Sequence, residues 1–417
     1  MTTPHIGIAG AGLAGRTLAW RLARAGCCVS LFDAKRRDDL TSASQTAAAM
    51  LSPLAEQKVS DDAVFELGQR SMQLWPQWIA ELAEAGGERG GGPPQTSSGP
   101  SGGNASHEVK SGGSQNSPVY FRQDGTLVVA HPQDQSSLEH FTRLLNHKLP
   151  ERFRAQVQTL DAAALGRVEP ALAGRFGGGL YLQGEGQLAN DQWMAALAIE
   201  LDRLGVQWHE GQAVERMEAR GVVCAGQRHT VDVTVDARGI GSKSQLPTLR
   251  GVRGEVLRVE CEGISLQRPV RLMHPRYQLY VAPRPNHQFV VGATELESED
   301  TGPVTVRSVL ELASALHSLH PAFGEARVLR MNAALRPALD DHRPSVGQHG
   351  GVWHINGLYR HGYLCAPALV ADLVNALTQA LTGKPLGAPT SSLATWPVEP
   401  PSSCSQPSAQ PQPQFQS

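Results

Sequence analysis

Residues 5–33 read HIGIAGAGLAGRTLAWRLARAGCCVSLFD, and this stretch decides the fold. His5 to Gly10 is a short apolar run typical of a buried strand, and Leu13 to Ala25 carries apolar residues at helical spacing before Gly26 ends the pattern. Cys28 to Phe32 then forms a second apolar strand. A strand, a glycine turn, a helix and a strand make a βαβ unit, which predicts parallel pairing at the start of a doubly wound sheet.

The turn after the first strand carries the pattern GxGxxG at Gly10, Gly12 and Gly15. The first two glycines allow a tight bend and the close approach of a pyrophosphate, and the third lets the helix pack on the strand. The helix N-terminus then faces the phosphates. Alone, the pattern suits a plain glycine-rich turn equally well, so its position in a βαβ unit decides for a dinucleotide. Further predicted contacts of this ligand are Ala11, Leu13 and Ala14.

Asp33 ends the second strand and marks the adenosine end of the predicted site. A carboxylate about twenty residues after the glycines can accept hydrogen bonds from ribose hydroxyls. Ala34, which follows, is predicted to contact the same ligand. The basic residues at 35–37 leave a 2′-phosphate, and therefore NADP, formally open, although solvated surface charges explain them more simply.

Composition points to a small-molecule protein of two domains. The chain has 417 residues and a formal net charge of -2 from 37 basic and 39 acidic residues. That balance creates no field strong enough to gather nucleic acid or an anionic membrane. The cysteines form no CxxC or Cys/His cluster, so we predict neither a metal site nor a disulfide framework. We also expect no membrane span and a cytoplasmic location.

Two stretches are nearly free of apolar residues. Residues 86–118 are rich in Gly, Ser and Pro, and residues 387–417 are rich in Pro, Ser and Gln, so we predict a disordered insertion and a disordered tail. Between them, Val119 to Ala130 and Tyr277 to Thr294 read as antiparallel strands of a second domain. Other predicted elements are a helix over Asp191 to Leu204, a strand over Val231 to Asp236 and a helix over Thr305 to Leu316.

Four motifs together resemble the D-amino-acid-oxidase-like flavoproteins, and within them the glycine oxidase group of thiamine biosynthesis. They are GAGLAG at 10–15, TAAAMLSPLAE at 46–56, VDARGIGS at 235–242 and INGLYRHGYLCAPA at 355–368. The resemblance runs from about residue 5 to residue 385 and is interrupted by the 86–118 insertion. It implies an α/β fold: a Rossmann-type domain holding noncovalent FAD, and an α+β substrate domain with an antiparallel sheet.

The resemblance also implies that the two domains alternate along the chain. The FAD-binding domain takes residues 1–85, 171–250 and 336–386, and the substrate domain takes 119–170 and 251–335, with 86–118 and 387–417 outside both.

The cofactor contacts implied by the resemblance lie in two loops and one turn. The first loop passes near the flavin ring, and Ala49 stands there in place of the family's usual glycine. The second wraps the pyrimidine end of the flavin, where backbone donors can stabilise negative charge on the reduced ring. The residues concerned are Thr46, Ala47, Ala48 and Met50 in the first loop, Gly239 in the turn, and Gly357, Leu358, Tyr359, Arg360, His361, Gly362 and Tyr363 in the second.

Oxidation of an α-amino acid requires a fixed carboxylate, and a bidentate arginine is best suited to hold it. By resemblance that residue is Arg336, with Arg360 as the second candidate and Tyr280 as a hydroxyl partner. Gln278 replaces a family histidine two residues before the tyrosine, and Glu295 replaces a family methionine and can attract an ammonium group. The alternatives are a surface ion pair for Arg336, core packing for Tyr280 and solvent exposure for Glu295.

The chemistry expected from the resemblance is hydride transfer from Cα to flavin N5. The resulting imine is hydrolysed to an α-keto acid and ammonia, glyoxylate in the case of glycine, or feeds thiazole assembly. No protein nucleophile or general base is assigned, and His361 is treated only as a flavin neighbour.

Several alternatives remain open at this point. They are oxidation of sarcosine, proline, a D-amino acid or an aminomethyl group of modified tRNA, and flavin binding without turnover. The sequence does not decide between dioxygen and another electron acceptor, and it leaves a homo-oligomer open.

Overall fold

The computed structural model describes residues 3–58, 60–87, 117–274 and 278–382. The predicted tail at 387–417 and all but the edges of the predicted insertion at 86–118 lie outside these residues. The helices are α1 (Leu13–Arg24), α2 (Ala43–Thr46), α3 (Pro53–Glu56), α4 (Asp62–Gly87), α5 (Gln135–Lys148), α6 (Glu151–Arg154), α7 (Ala162–Val168), α8 (Asn190–Arg203), α9 (Val306–Leu319) and α10 (Gly362–Thr382).

The strands are β1 (His5–Ala9), β2 (Cys28–Asp33), β3 (Met50–Leu51), β4 (Phe121–Arg122), β5 (Thr126–Ala130), β6 (Val157–Asp161), β7 (Gly178–Leu182), β8 (Gly186–Leu188), β9 (Gln207–Glu210), β10 (Val214–Glu218), β11 (Gly221–Cys224), β12 (Gln227–Thr230), β13 (Val233–Asp236), β14 (Arg250–Glu260), β15 (Val270–Met273), β16 (Gln278–Pro283), β17 (Gln288–Gly292), β18 (Arg327–Ala338), β19 (Ser345–His349) and β20 (Val352–Asn356).

A six-stranded sheet in the order β19-β20-β13-β1-β2-β9 forms the first layer. Strand β1 pairs in parallel with both β2 and β13, so the βαβ unit and the doubly wound α/β class predicted from residues 5–33 are confirmed. Helices α1, α4, α8 and α10 pack together beside this sheet. Their contact contains Trp20, Trp75 and Trp193, all fully buried and in edge-to-face pairs, which gives this part of the fold a dense aromatic core.

An eight-stranded sheet in the order β18-β14-β17-β16-β15-β5-β7-β6 forms the second layer, and α9 packs against it. Most of its pairs are antiparallel, as predicted, and β5 pairs in this way with β7, while its other neighbour, β15, pairs with it in parallel. Two predicted domain limits need correction. Strand β7 lies in this sheet although 171–250 was assigned to the FAD-binding domain, and β18 continues past residue 335 to Ala338.

Among the described strands, the chain passes repeatedly between the two sheets. Strands β1 and β2 belong to the first sheet, β5 to β7 to the second, β9 and β13 to the first, β14 to β18 to the second, and β19 and β20 to the first. A small sheet in the order β3-β8-β4 lies at the crossings. Ligands of open α/β sheets bind at the carboxyl ends of the strands, and these crossings place residues of the second sheet in front of that edge.

Helix α10 is the most apolar helix of the described part. The stretch Tyr359–Leu381 is long and apolar enough to cross a bilayer by length and composition, but half of its most apolar window is buried inside the protein. Val370, Leu373 and Leu377 are fully buried, and the helix packs against α1 and α4. Packing in the core explains its apolar composition.

Candidate functional site

A cavity of about 1360 Å³ runs between the two sheets. It brings together most of the residues that the sequence predicted for cofactor and substrate. Those that line it are Gly10, Gly12, Leu13, Ala14, Asp33, Ala34, Thr46, Ala47, Ala48, Met50, Gly239, Tyr280, Glu295, Arg336, Leu358, Tyr359, Arg360, His361, Gly362 and Tyr363. Ala11, Gly15 and Gly357 do not line the cavity. Gln278 begins β16, and its side chain lies outside the described part.

The glycine turn at one end of the cavity is shaped by close backbone contacts. Gly10 has φ +99, and a Cβ there would lie 2.4 Å from the carbonyl oxygen of Ala237. A Cβ on Gly15 would lie 1.7 Å from the carbonyl oxygen of Gly10, whereas one on Gly12 would come no closer than 3.2 Å to Ser44 Oγ. Gly10 and Gly15 are therefore required by the fold itself, and Gly12 keeps the mouth of the cavity open to a ligand.

Asp33 is held rigidly at the end of β2. Its Oδ2 accepts a hydrogen bond of 2.5 Å from Ala11 N, and its Oδ1 accepts one of 2.8 Å from Lys35 N. Arg37 is committed to protein partners, at 2.6 Å from Asp202 and 3.0 Å from Glu210. The carboxylate thus keeps acceptor capacity toward the cavity, and Arg37, one of the three basic residues considered for a 2′-phosphate, is already paired.

Arg16 is a structural residue of this end that sequence reasoning missed. Its guanidinium is buried and donates to three carbonyl oxygens: Ala11 at 2.8 Å, Met194 at 3.0 Å and Arg37 at 2.8 Å. Burial lowers the pKa of Arg16. The side chain ties the glycine turn to α8, a role that a basic residue on an amphipathic helix does not reveal because it is normally read as solvent-facing.

The loop predicted to pass near the flavin is held by buried polar side chains of the second sheet and of α8. Asn190 Nδ2 donates to the carbonyl oxygens of Ser44 and Gln45, at 3.0 and 2.8 Å. Arg258 donates to Asn190 Oδ1 at 2.8 Å, and Arg284 donates to the carbonyl oxygen of Ala48 at 2.5 Å. The carbonyls of Ser44, Gln45 and Ala48 are therefore satisfied by side chains of the protein, which fixes the path of the loop.

Two local features of this loop fit a cofactor that approaches the backbone. Ala49 has φ +48, a left-handed conformation that favours glycine, so its replacement of the family's glycine carries backbone strain. Thr46 lines the cavity, and its buried Oγ1 has no hydrogen-bond partner among the described residues. A ligand hydrogen bond would satisfy that hydroxyl.

Arg336 and Tyr280 lie together at the other end of the cavity. Arg336 Nη2 donates to the carbonyl oxygen of Thr294 at 3.0 Å, while its Nη1 is buried without a hydrogen-bond partner in the described part of the chain. Burial raises the pKa of Tyr280, and the nearby Arg336 opposes that rise. A Cβ on Gly254 would lie 2.3 Å from the guanidinium, so this glycine makes room for the arginine. Arg336 forms no ion pair with any residue that the structure describes, so the surface ion pair considered for it is not seen there.

Glu295 is engaged by the second predicted loop. Tyr359 Oη donates to its Oε1 at 2.6 Å, and Arg360 Nη1 lies 2.9 Å from its Oε2. Burial and this acceptor both raise the pKa of the Tyr359 hydroxyl. The charge of Glu295 is thus balanced by Arg360, so the carboxylate holds the loop in addition to lining the cavity.

Glu56 is the centre of a buried ion cluster that sequence reasoning also missed. Arg271 Nη2 lies 2.9 Å from its Oε1, and Arg360 Nε lies 3.0 Å from its Oε2. Burial would raise the pKa of Glu56, but Arg360 and Arg271 outweigh burial and lower it to about 2. Burial lowers the pKa of the neighbouring His361 to about 4. Glu56 is therefore ionised and His361 neutral at pH 7, and both arginines are fixed.

The match to known families agrees with this geometry. Residues 5–100 and 104–376 match the family of FAD-dependent oxidoreductases, and the chain belongs to that family. It is an FAD-dependent oxidoreductase, and FAD is the cofactor that the glycine turn, Asp33 and the Thr46 loop fit.

Individual relatives narrow the class further. The chain is 37% identical over 369 residues to the thiamine biosynthesis oxidoreductase ThiO of Rhizobium etli, covering 88% of this chain and 94% of that protein. It is 24% identical to glycine oxidase of Geobacillus kaustophilus, covering 88% and 92%. Among solved structures, glycine oxidase from Bacillus cereus shares the fold with a TM-score of 0.72 at 21% identity, covering 94% and 100%.

Proposed function

We propose that this protein oxidises the carbon–nitrogen bond of a small amino acid, with glycine as the first candidate, using noncovalently bound FAD. The observation that carries the proposal is the buried Nη1 of Arg336, which lies near Tyr280 in the cavity and has no hydrogen-bond partner among the described residues. A charged donor buried without an acceptor is costly, and a substrate carboxylate is the group that would satisfy it. The ThiO and glycine oxidase relatives support the same substrate class.

In this proposal the side chains position the substrate, and the cofactor supplies the redox chemistry. Bound FAD would supply the hydride acceptor for oxidation at Cα. Arg336 grips the carboxylate and Tyr280 adds a hydroxyl donor, so rotation of the amino acid about its carboxylate is restricted. Tyr280 packs in one cluster with small or flexible apolar groups, among them Ala48 and Met50, which favours a substrate without a large side chain.

The second loop contributes backbone donors and fixed charge. Residues 358–362 line the cavity, and Arg360 is held by Glu56 and Glu295, so the loop is rigid before a ligand binds. A preorganised cationic side chain and backbone N–H groups stabilise negative charge that develops near them. Cys365 is fully buried behind this loop and does not line the cavity, which supports noncovalent attachment of the cofactor.

The products proposed are an imine and, after hydrolysis, an α-keto acid and ammonia. With glycine these are glyoxylate and ammonia, unless the imine is passed to thiazole assembly, a role supported by the ThiO relative. Deletion of the gene should then create a thiazole requirement under aerobic growth. Normal growth without thiazole would argue against that pathway.

The decisive experiment is anaerobic bleaching of the flavin band near ~450 nm by single amines. Glycine, sarcosine, proline and D-alanine are added separately to the purified holoenzyme. Fast bleaching by glycine supports the proposal, and bleaching by another amine moves the substrate while keeping the reaction class. If no amine bleaches the flavin, amino acid oxidation is wrong for this protein.

A further inference from the structure

A fully buried carboxyl lies directly behind the substrate end of the cavity. Glu185, in the turn between β7 and β8, has no exposed surface. Its Oε1 accepts a hydrogen bond of 2.8 Å from Ala55 N, and its Oε2 is buried with no hydrogen-bond partner within the described ranges. Such an acceptor is costly to keep unless it carries a proton or exchanges one.

Two hydroxyls lie beside this carboxyl, and only one of them reaches the cavity. Ser52 and Thr126 are both buried, and neither hydroxyl oxygen has a hydrogen-bond partner among the residues described. Leu51, the residue before Ser52, pairs with Gly186, and Ala55 N donates to Glu185, so the chain on both sides of Ser52 lies against this carboxyl. The nearby hydroxyls of Thr126 and Ser52 lower the pKa of Glu185. Ser52 lines the cavity, whereas Thr126 lies on β5 behind it. Ser52 is also the residue before α3, but its side chain makes no capping hydrogen bond, so the hydroxyl is free to face the carboxyl.

The surroundings of Glu185 bring the pKa of its carboxyl close to neutral pH. Burial raises the pKa of Glu185 to about 7, opposed by Arg271 from β15 and by the hydrogen bond from Ala55 N of α3. The other carboxylate beside Arg271 is Glu56 of α3, which already receives Nη2 of that arginine. Glu56 stays ionised in the same region, so Glu185 is the carboxyl of this pair that can change protonation near pH 7.

We propose that Glu185, acting through the hydroxyl of Ser52, takes up the proton that the substrate ammonium group must lose before oxidation. The N–H bond of the ammonium breaks as its proton passes to Ser52 Oγ, and the O–H bond of Ser52 breaks as its own proton passes to Glu185 Oε2. An ammonium and a carboxylate become a neutral amine and a carboxylic acid. The proton returns by the same hydroxyl when product leaves and water refills the cavity. This inference rests on the proposed function.

The test compares matched variants of the holoenzyme. Glu185→Gln keeps the acceptor for Ala55 N but cannot take up a proton, and Ser52→Ala removes the connection to the cavity. Thr126→Ala is the control because it removes a hydroxyl beside Glu185 without touching the cavity. The rate of anaerobic flavin reduction by the active amine is followed between about pH 5 and 9. Flavin content and thermal unfolding establish that each variant folds.

The wild type should show an acid limb near neutral pH. At about pH 8, Glu185→Gln and Ser52→Ala should each reduce the flavin roughly ten- to hundredfold more slowly and lose that limb. Thr126→Ala should keep its rate within about twofold and move the limb to higher pH, because Thr126 lowers the pKa of Glu185. Equal losses in Ser52→Ala and Thr126→Ala, or an unchanged limb in Glu185→Gln, would overturn the inference.

An infrared measurement separates this inference from the proposed function. Without any amine, the difference between the spectra of the wild-type and Glu185→Gln holoenzymes should show a carboxylic acid band that disappears as pH rises through about 7. The difference is taken because burial also raises the pKa of Glu169 to about 7. If no amine bleaches the flavin, the proposed function fails and proton uptake from substrate fails with it. If amines bleach the flavin but this band does not titrate, only the role of Glu185 is wrong.

Discussion

Single side chains decide the chemistry of this cavity by being buried in an ionised state. Arg336 and Glu56 are both out of contact with bulk water for most of their surface, yet they differ in how they are satisfied. Glu56 has two arginine partners, whereas Arg336 keeps one donor without an acceptor in the described part of the protein. One residue therefore holds the site together, and the other has the capacity left to bind a ligand.

Replacing Arg336 by lysine should weaken substrate binding and leave the cofactor site intact. Lysine keeps the charge but loses the planar fork, so we expect the Kd of the active amino acid to rise roughly ten- to hundredfold. Titration of the flavin spectrum under anaerobic conditions measures it. Arg330→Lys on the same strand is the control because Arg330 is exposed, and equal Kd values in the two variants would contradict the assignment.

Replacing Glu56 by glutamine should destabilise the protein strongly. The change leaves Arg271 and Arg360 without their shared buried carboxylate, which costs about 3–5 kcal/mol of unfolding free energy. Denaturant unfolding at pH 7 measures the loss. Glu299→Gln removes an exposed partner of Lys243 and should cost far less, so a similar loss in both variants would show that the buried cluster adds nothing.

At the scale of elements, two glycines of the same turn have different surroundings: Gly15 packs inside the fold, and Gly12 faces the cavity. Gly15 packs against the backbone of Gly10 inside the βαβ unit, whereas Gly12 lines the cavity. Both belong to one motif of six residues, and the motif alone assigns them to the same ligand. The structure shows that they serve it in different ways.

Gly15→Ala should therefore lower the stability of the protein even without cofactor, because its Cβ would overlap a carbonyl oxygen at 1.7 Å. Gly12→Ala should leave the melting temperature of the cofactor-free protein nearly unchanged and lower FAD affinity, since its Cβ meets only Ser44 Oγ at 3.2 Å. Thermal unfolding of both apo variants and FAD titration test this. If Gly12→Ala unfolds as readily as Gly15→Ala, the distinction is wrong.

Elements close in sequence could be predicted, and contacts between distant elements could not. The βαβ unit follows from apolar spacing over residues 5–33, and the range predicted for α1 ends one residue beyond the observed helix. The parallel pair β5–β15 joins strands about 140 residues apart, as the bounds 126–130 and 270–273 show, and no local pattern specifies such a partner. Glu56 and Arg271 escaped prediction for the same reason, because each is ordinary in its own segment.

For the whole molecule, the cavity charges set how stability depends on pH. Glu56 has its pKa lowered from 4.5 to about 2, so its contribution is complete above about pH 4.5 and is lost as pH falls through 2. His361 has its pKa lowered from 6.5 to about 4. Between pH 6.5 and 4, His361 is protonated in the unfolded chain but not in the folded one. This difference lowers the unfolding free energy as pH falls.

His361 lowers the unfolding free energy as pH falls from about 6.5 to 4, whereas Glu169 and Glu185, whose pKa values burial raises to about 7, add to it as pH falls from about 7 to 4.5. The test is therefore the difference between the wild type and His361→Gln, measured by denaturant unfolding at a series of pH values. The variant should gain stability relative to the wild type as pH falls from about 6.5 to 4, and both proteins should lose stability through Glu56 below about pH 4.5. A difference that stays constant between pH 6.5 and 4 would contradict a neutral, buried His361.

Because the chain alternates between its two sheets, recombination between related genes cannot easily exchange one sheet alone. A single crossover between two genes exchanges everything on one side of a point, and each described sheet draws strands from both sides of most such points. The eight-stranded sheet is made from two separate chain segments, β5 to β7 and β14 to β18. To replace the whole sheet, and with it the amine preference, recombination would have to exchange both segments. The ends of these exchanges would fall at the small β3-β8-β4 sheet and near β13 and β19. Under the proposed function, point substitutions along β16 and β18, which carry Tyr280 and Arg336, would change the substrate with fewer genetic changes.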